Sequence, residues 1–302
     1  MDQSEMIASI QKLKKERNAV ILAHLYEWPE VQDIADIVGD SLDLSRRAKE
    51  AQADVIVFCG VSFMAETAKI VNPGRTVLLP VLEAGCPMAD MVTPEDVKRL
   101  REENPKAAVV CYVNSSAEVK AESDICCTSS NARKIVASLQ EDEIIFVPDR
   151  NLGHYVSRFF PEKKFIFHEG FCPTHNKINA DEVLRVKEAR PGVPILSHPE
   201  CRPEVLDLSD FIGSTAQIID YAVTSDAKEL IIGTEIGVLH RLQKLCPDKT
   251  FYSLHAALVC PNMKKTRLAN VQAALEQMKY RIELEEDLRL RAAVAIEKML
   301  AI

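Results

Sequence analysis

Apolar runs recur along this chain at a fixed spacing, and each ends in polar residues. Ala19-Val-Ile-Leu-Ala-His24, Ala107-Ala-Val-Val-Cys-Tyr112 and Val193-Pro-Ile-Leu-Ser-His198 place their tips 88 and 86 residues apart. Asp54-Val-Ile-Val-Phe58, Glu143-Ile-Ile-Phe146 and Glu229-Leu-Ile-Ile232 repeat the same steps. A third series opens with Pro and a basic residue: Pro73-Gly-Arg-Thr-Val-Leu-Leu79, Pro161-Glu-Lys-Lys-Phe-Ile-Phe167 and Pro247-Asp-Lys-Thr-Phe-Tyr-Ser253. Short runs rich in β-branched residues predict strands. The amphipathic segments between them, such as 31–50, 64–71 and 97–103, predict helices. Each unit then holds three strands and covering helices, the alternation that gives parallel sheets. The predicted fold is α/β, with three pseudo-equivalent αβα parallel-sheet units around an approximate three-fold axis. Their expected bounds are 1–104, 105–190 and 191–302. Residues 1–18 and 264–302 read as helical, the latter through Leu268, Val271, Leu275 and Met278, packed outside or capping the first unit.

Composition narrows the class. The chain has 302 residues, 47% hydrophobic and 27% charged, which excludes disorder. Its net charge of −8 gives no electrostatic footprint for nucleic acid or an anionic membrane. No charge-free stretch approaches the ~20 residues that span a bilayer. The first 18 residues carry Lys12, Lys14, Lys15 and Arg17 and no apolar h-region, so a cytoplasmic protein is expected. Nine cysteines, an odd number with no CxxC, argue against a disulfide framework.

Three cysteines obey the repeat. Cys86, Cys172 and Cys260 each precede Pro and lie 86 and 88 residues apart, whereas Cys246-Pro247 does not fit the step. Ligands in parallel α/β units sit outside the carboxyl ends of the strands, so three thiolates should converge there. Three equivalent cysteines match one face of a [4Fe–4S] cluster and leave its fourth iron open, unlike electron-transfer clusters with four Cys. An open position is the mark of a Lewis-acid site. Cys59 and Cys111 read as core. Cys126, Cys127 and Cys201 lie near strand ends, and an electron carrier would need a fourth ligand such as Cys201 or Cys127.

Ser41, Ser129 and Thr215 also step by 88 and 86, at helix starts. They suit N-caps or, beside free N–H groups, the binding of a multiply anionic substrate. The strand tips deliver His24 and Tyr26, Tyr112 and Asn114, and His198 and Glu200, a set suited to proton transfer. Near a negatively charged cluster, the pKa of Glu200 is expected to rise. His175, three residues after Cys172, reads equally as support for the ligands or as a substrate contact. His154, His168, His240 and His255 read as structural.

The chain resembles the quinolinate synthases over essentially its whole length. The resemblance is carried by Ile21-Leu-Ala-His-Leu-Tyr26, Asp33-Ile-Ala-Asp-Ile-Val-Gly-Asp-Ser-Leu42, Phe63-Met-Ala-Glu-Thr-Ala-Lys-Ile70 and Gly85-Cys-Pro-Met-Ala89. Further along it rests on Cys111-Tyr-Val-Asn-Ser115, Thr128-Ser-Ser-Asn-Ala132, Pro148-Asp-Arg-Asn-Leu152, Ser197-His-Pro-Glu-Cys201, Gly213-Ser-Thr215, Gly233-Thr-Glu-Ile-Gly237 and Cys260-Pro-Asn-Met-Lys264. It implies a triangular three-unit fold with a [4Fe–4S] cluster held by Cys86, Cys172 and Cys260. The implied reaction joins iminosuccinate to dihydroxyacetone phosphate, releasing phosphate and two waters to give quinolinate for NAD biosynthesis. A partner L-aspartate oxidase or dehydrogenase would supply the iminosuccinate. By the same resemblance, His24, Ser41, Tyr112, Val113, Asn114, Ser129, His175, His198, Pro199, Glu200 and Thr215 contact substrate, and Tyr26, Glu200, His198 and Tyr112 are catalytic. Leu25, Thr174, Ala216 and Pro261 depart from the family's usual residues and are expected in the pocket wall. These departures motivate a second reading, an iron–sulfur hydro-lyase acting on another small carboxylate.

Overall fold

The computed structural model describes residues 2–302. Among them, twelve strands form three four-stranded sheets, every pairing parallel. The first sheet holds β1 (Ala19–His24), β2 (Ile37–Gly39), β3 (Val55–Cys59) and β4 (Thr76–Leu78) in the order β2-β1-β3-β4. The second repeats it with β5 (Ala108–Tyr112), β6 (Ile125–Cys127), β7 (Glu143–Val147) and β8 (Lys164–Phe167). The third does so with β9 (Ile195–Ser197), β10 (Phe211–Ile212), β11 (Glu229–Gly233) and β12 (Thr250–Ser253). Helices cover the sheets, so the central strands β3 and β5 are buried along their whole length, as continuous Val/Ile runs require in parallel sheets.

Each unit has one strand more than its apolar runs predict. β2, β6 and β10 are two or three residues long and sit beside the strand carrying the polar tip. The segment 31–50 is therefore not one helix: helix Pro29–Ile34 leads into β2, and a second helix runs Ser41–Glu50. An aspartate sets this register. Asp36, Asp124 and Asp210, again 88 and 86 residues apart, each accept the backbone N–H of the neighbouring central strand, from Ile21, Val109 and Ile195, at 2.8 Å.

The C-terminal helical stretch divides in two. Helix Leu268–Gln277 ends at Met278, which is left-handed (φ 50°) rather than helical. Its Leu268, Val271 and Leu275 share a core with Ile10 of helix Gln3–Glu16 and with Ile21 and Val57 of the first sheet. Helix Glu286–Leu300 crosses to the second unit, where Ala292, Ala295, Ile296 and Met299 join the core of β5 and β6. No helix among the described residues is long and apolar enough to cross a membrane.

Candidate active site

The carboxyl ends of the three sheets open onto one cavity. His24, Tyr26, Ser41, Cys86, Tyr112, Asn114, Ser129, Cys172, His175, His198, Glu200, Thr215 and Cys260 all line it. Val113 and Pro199 do not; Val113 is buried in the core of the second unit. Thr174 and Pro261 belong to the wall as expected, whereas Leu25 and Ala216 lie outside it. Leu25 packs instead into the first unit's core. Gly237 lets the tip of β1 pass close by, since a Cβ there would lie 2.8 Å from Leu25 O and from Tyr26 Cα.

Cys86, Cys172 and Cys260 are the cavity's cysteines among the described residues, each a free thiol of intermediate exposure. Burial, with Cys260 and Glu200 nearby, pushes Cys86 up to about 12. Burial also pushes Cys172 and Cys260 up. Three converging soft donors that resist ionisation alone suit a cofactor whose positive charge holds them as thiolates. Cys127 and Cys201 are fully buried outside the cavity, and Cys201 donates to Gly233 O. Neither can serve as the fourth ligand that an electron carrier would need.

The hydroxyl residues are not the helix caps. Asp40 caps helix Ser41–Glu50, accepting from the N–H groups of Leu42 and Asp43, and Ser214 caps helix Thr215–Thr224. Helix Ala132–Ser138 begins at Asn131, whose Oδ1 accepts from Thr128 N–H. Ser41 and Thr215 thus stand one residue after their caps and Ser129 two residues before Asn131, and all three line the cavity. Behind them the three units touch: Ser130 Oγ donates to Asp40 Oδ2 at 2.6 Å and lies 2.8 Å from Ser214 Oγ.

The two tip histidines are built alike. His24 Nδ1 accepts Tyr26 N–H at 3.1 Å and His198 Nδ1 accepts Glu200 N–H at 3.3 Å. Each neutral ring therefore carries its proton on Nε2, and His198 Nε2 lies 3.2 Å from Ser129 Oγ. Burial lowers both to about 3. Asn114 Oδ1 is buried without a partner, an acceptor waiting for a donor that a ligand can bring.

Glu200 departs from expectation. Burial raises its pKa, but the hydrogen bonds from His175 and Tyr112 outweigh it and hold the carboxyl below its ordinary value. His175 Nδ1 sits 2.7 Å from Glu200 Oε2 and 3.2 Å from Cys172 Sγ. Sulfur, imidazole and carboxylate here lie within 4.8 Å of one another, a trio of donor types that can also hold an ion. The sequence reading missed Thr234. Its Oγ1 lies 2.9 Å from His175 Nε2 and 2.7 Å from Tyr26 OH, which in turn lies 2.7 Å from Thr215 Oγ1. Assigned consistently, donors run Thr215 to Tyr26 to Thr234 to His175 to Glu200. Burial and then Glu200 push Tyr26 well above its ordinary value, so it is a neutral phenol. Its repeat equivalents, Gly60 and Pro148, carry no hydroxyl, so the repeat gives no signal at Thr234.

Fold and cavity together define an α/β enzyme of three tandem units, with three thiols and an acid–base chain facing one enclosed site. The chain belongs to the family described as Quinolinate synthetase A protein, whose model matches residues 8–301. It is 55% identical over 300 residues to the quinolinate synthase of Caldicellulosiruptor saccharolyticus, covering 99% of both chains. With those of Alkaliphilus metalliredigens and Methanoregula boonei it shares 53% and 55% identity, covering 100% of each chain.

Proposed function

We propose that this chain is a quinolinate synthase that condenses iminosuccinate with dihydroxyacetone phosphate, releasing phosphate and two waters, in NAD biosynthesis. The observation that carries the reading is the convergence of Cys86, Cys172 and Cys260 with the hydroxyl and acid–base residues in one cavity. The three cysteines would hold a [4Fe–4S] cluster, and such a cluster supplies a Lewis acid that polarises a substrate carboxylate or hydroxyl. The family's membership and the repeat-equivalent thiols support this donor set over a single ion at Cys172, His175 and Glu200.

The remaining chemistry belongs to side chains. Ser41, Ser129 and Thr215 offer hydroxyls from three helix starts to carboxylate and phosphate oxygens, and His24 Nε2–H adds a neutral donor. Lys177 is the only Lys or Arg on the cavity wall and has no ion pair among the described residues, so it meets incoming anions at the mouth. Glu200, ionised, is the proton sink. A proton taken up at Tyr26 is passed through Thr234 and His175 to Glu200. With every hydrogen bond in the chain reversed, the same residues return it to substrate, as one abstraction and one later donation require. Tyr112 steadies Glu200 and His198 orients Ser129.

Anaerobically prepared protein is expected to hold about four irons per chain and to form quinolinate from these two substrates. Cys86→Ser, Cys172→Ser and Cys260→Ser should each abolish the cluster. Full iron content in all three variants, or no quinolinate from iron-loaded protein, sinks the reading; in the second case turnover of another small carboxylate would favour the hydro-lyase.

A further inference from the structure

In two of the three units a buried carboxylate holds the backbone of the cavity cysteine. Asp149 and Glu235 each lie two residues beyond the second central strand, β7 or β11, and are 86 residues apart, the step of the repeat itself. Both are 0% exposed. Asp149 Oδ2 accepts Cys172 N–H at 3.0 Å, and Glu235 Oε1 accepts Cys260 N–H at 3.1 Å. Their other oxygens accept Leu152 N–H at 2.8 Å and Gly237 N–H at 2.7 Å. Every oxygen thus already accepts a backbone N–H, while burial pushes both carboxyls up, Asp149 with Glu200 nearby as well.

The units differ in two respects. Lys264 Nζ lies 3.0 Å from Glu235 Oε1 and also reaches Tyr26 O, so Glu235 has a counter-charge; Asp149 has none among the described residues. In the first unit the equivalent position is Val61, and no side chain among the described residues accepts from Cys86 N–H.

We propose that Asp149 and Glu235 are positioning residues for the cofactor thiolates: each fixes its cysteine loop by accepting the cysteine's own N–H, leaving the Cys86 corner the least constrained. This rests on the reading of the three cysteines as cluster ligands. A merely structural role, as helix cap or ion pair, would change stability without touching the cluster's electronics.

The test uses the anaerobically reconstituted protein with Asp149→Ala and Glu235→Ala, which remove the acceptor. Freeing the cysteine backbone should shift the cluster's midpoint potential in both variants. In the cluster-free proteins, amide exchange should become about tenfold faster at Cys172 in the first variant and at Cys260 in the second, as loss of one hydrogen bond implies. Should Glu235→Ala fail to fold because Lys264 loses its partner, Glu235→Ala/Lys264→Met leaves no unpaired cation, and it should show the same faster exchange at Cys260. Unchanged potentials in both variants, or unchanged exchange at both cysteines, overturn the proposal. A wild-type protein that binds no iron–sulfur cluster overturns the underlying reading, and this one with it.

Discussion

At the level of single residues, Thr234 joins groups from different units: Tyr26 at the tip of β1 and His175 beside Cys172. Neither neighbour can replace its hydroxyl, because Tyr26 OH and His175 Nε2 each need a partner placed between them. Thr234→Val keeps shape and removes the bridge. Turnover should fall by about the 10²-fold lower bound of general acid–base catalysis with KM little changed. Thr234→Ser should restore most of it. Equal loss in both variants would show that the methyl group, not the hydroxyl, matters. Glu200 shows why a pKa expectation fails when partners are invisible in sequence. The imidazole and the phenol whose hydrogen bonds hold it ionised come from residues 175 and 112, and neither is a near neighbour in the chain. Thr234 was illegible for a different reason: it sits in a quoted motif but has no counterpart hydroxyl in the other units.

Among the elements, the helix starts separate stability from binding. Asp40 satisfies two N–H groups of helix Ser41–Glu50, whereas the Ser41 side chain faces the cavity. Asp40→Ala should lower stability by about 1–2 kcal/mol, the loss of an N-cap, seen as a lower melting temperature. Ser41→Ala should leave the melting temperature unchanged and lower kcat/KM by ~1.5–3 kcal/mol, the worth of a hydrogen bond to a charged group. If Ser41→Ala melts early and keeps full kcat/KM, the hydroxyl is structural after all. Three strands per unit were legible because β-branched runs of four or more residues announce themselves. The fourth was not: Phe211–Ile212 and its equivalents have no period to detect, and pairing with the tip-bearing strand makes them strands. The aspartates at 36, 124 and 210 were visible at the repeat step, but only the structure shows which N–H groups they hold.

Across the whole molecule, the chain's last helix ties distant parts together. After helix Leu268–Gln277 has packed on the first unit, Glu286–Leu300 buries Ile296 completely in the core of the second. Ile296→Ala should destabilise the protein by about 2–5 kcal/mol, as for other fully buried aliphatic side chains, with a matching drop in denaturant midpoint and an unaltered KM. A change under about 0.5 kcal/mol, the scale of surface substitutions, would mean the helix is dispensable packing. The repeat made the three-unit architecture readable before any element was placed, because the same strand order returns three times. The three strand tips descend to the same place with different chemistry: His24 and Tyr26, Tyr112 and Asn114, His198 and Glu200. Three separate copies of one subunit could enclose a similar space, but any substitution in such a trimer would appear at all three corners. Written as one continuous polypeptide, each corner mutates alone. A phenol, a carboxamide and a carboxylate can then occupy one equivalent position, and the enclosed space has a handed, directional interior that an unsymmetrical substrate can read.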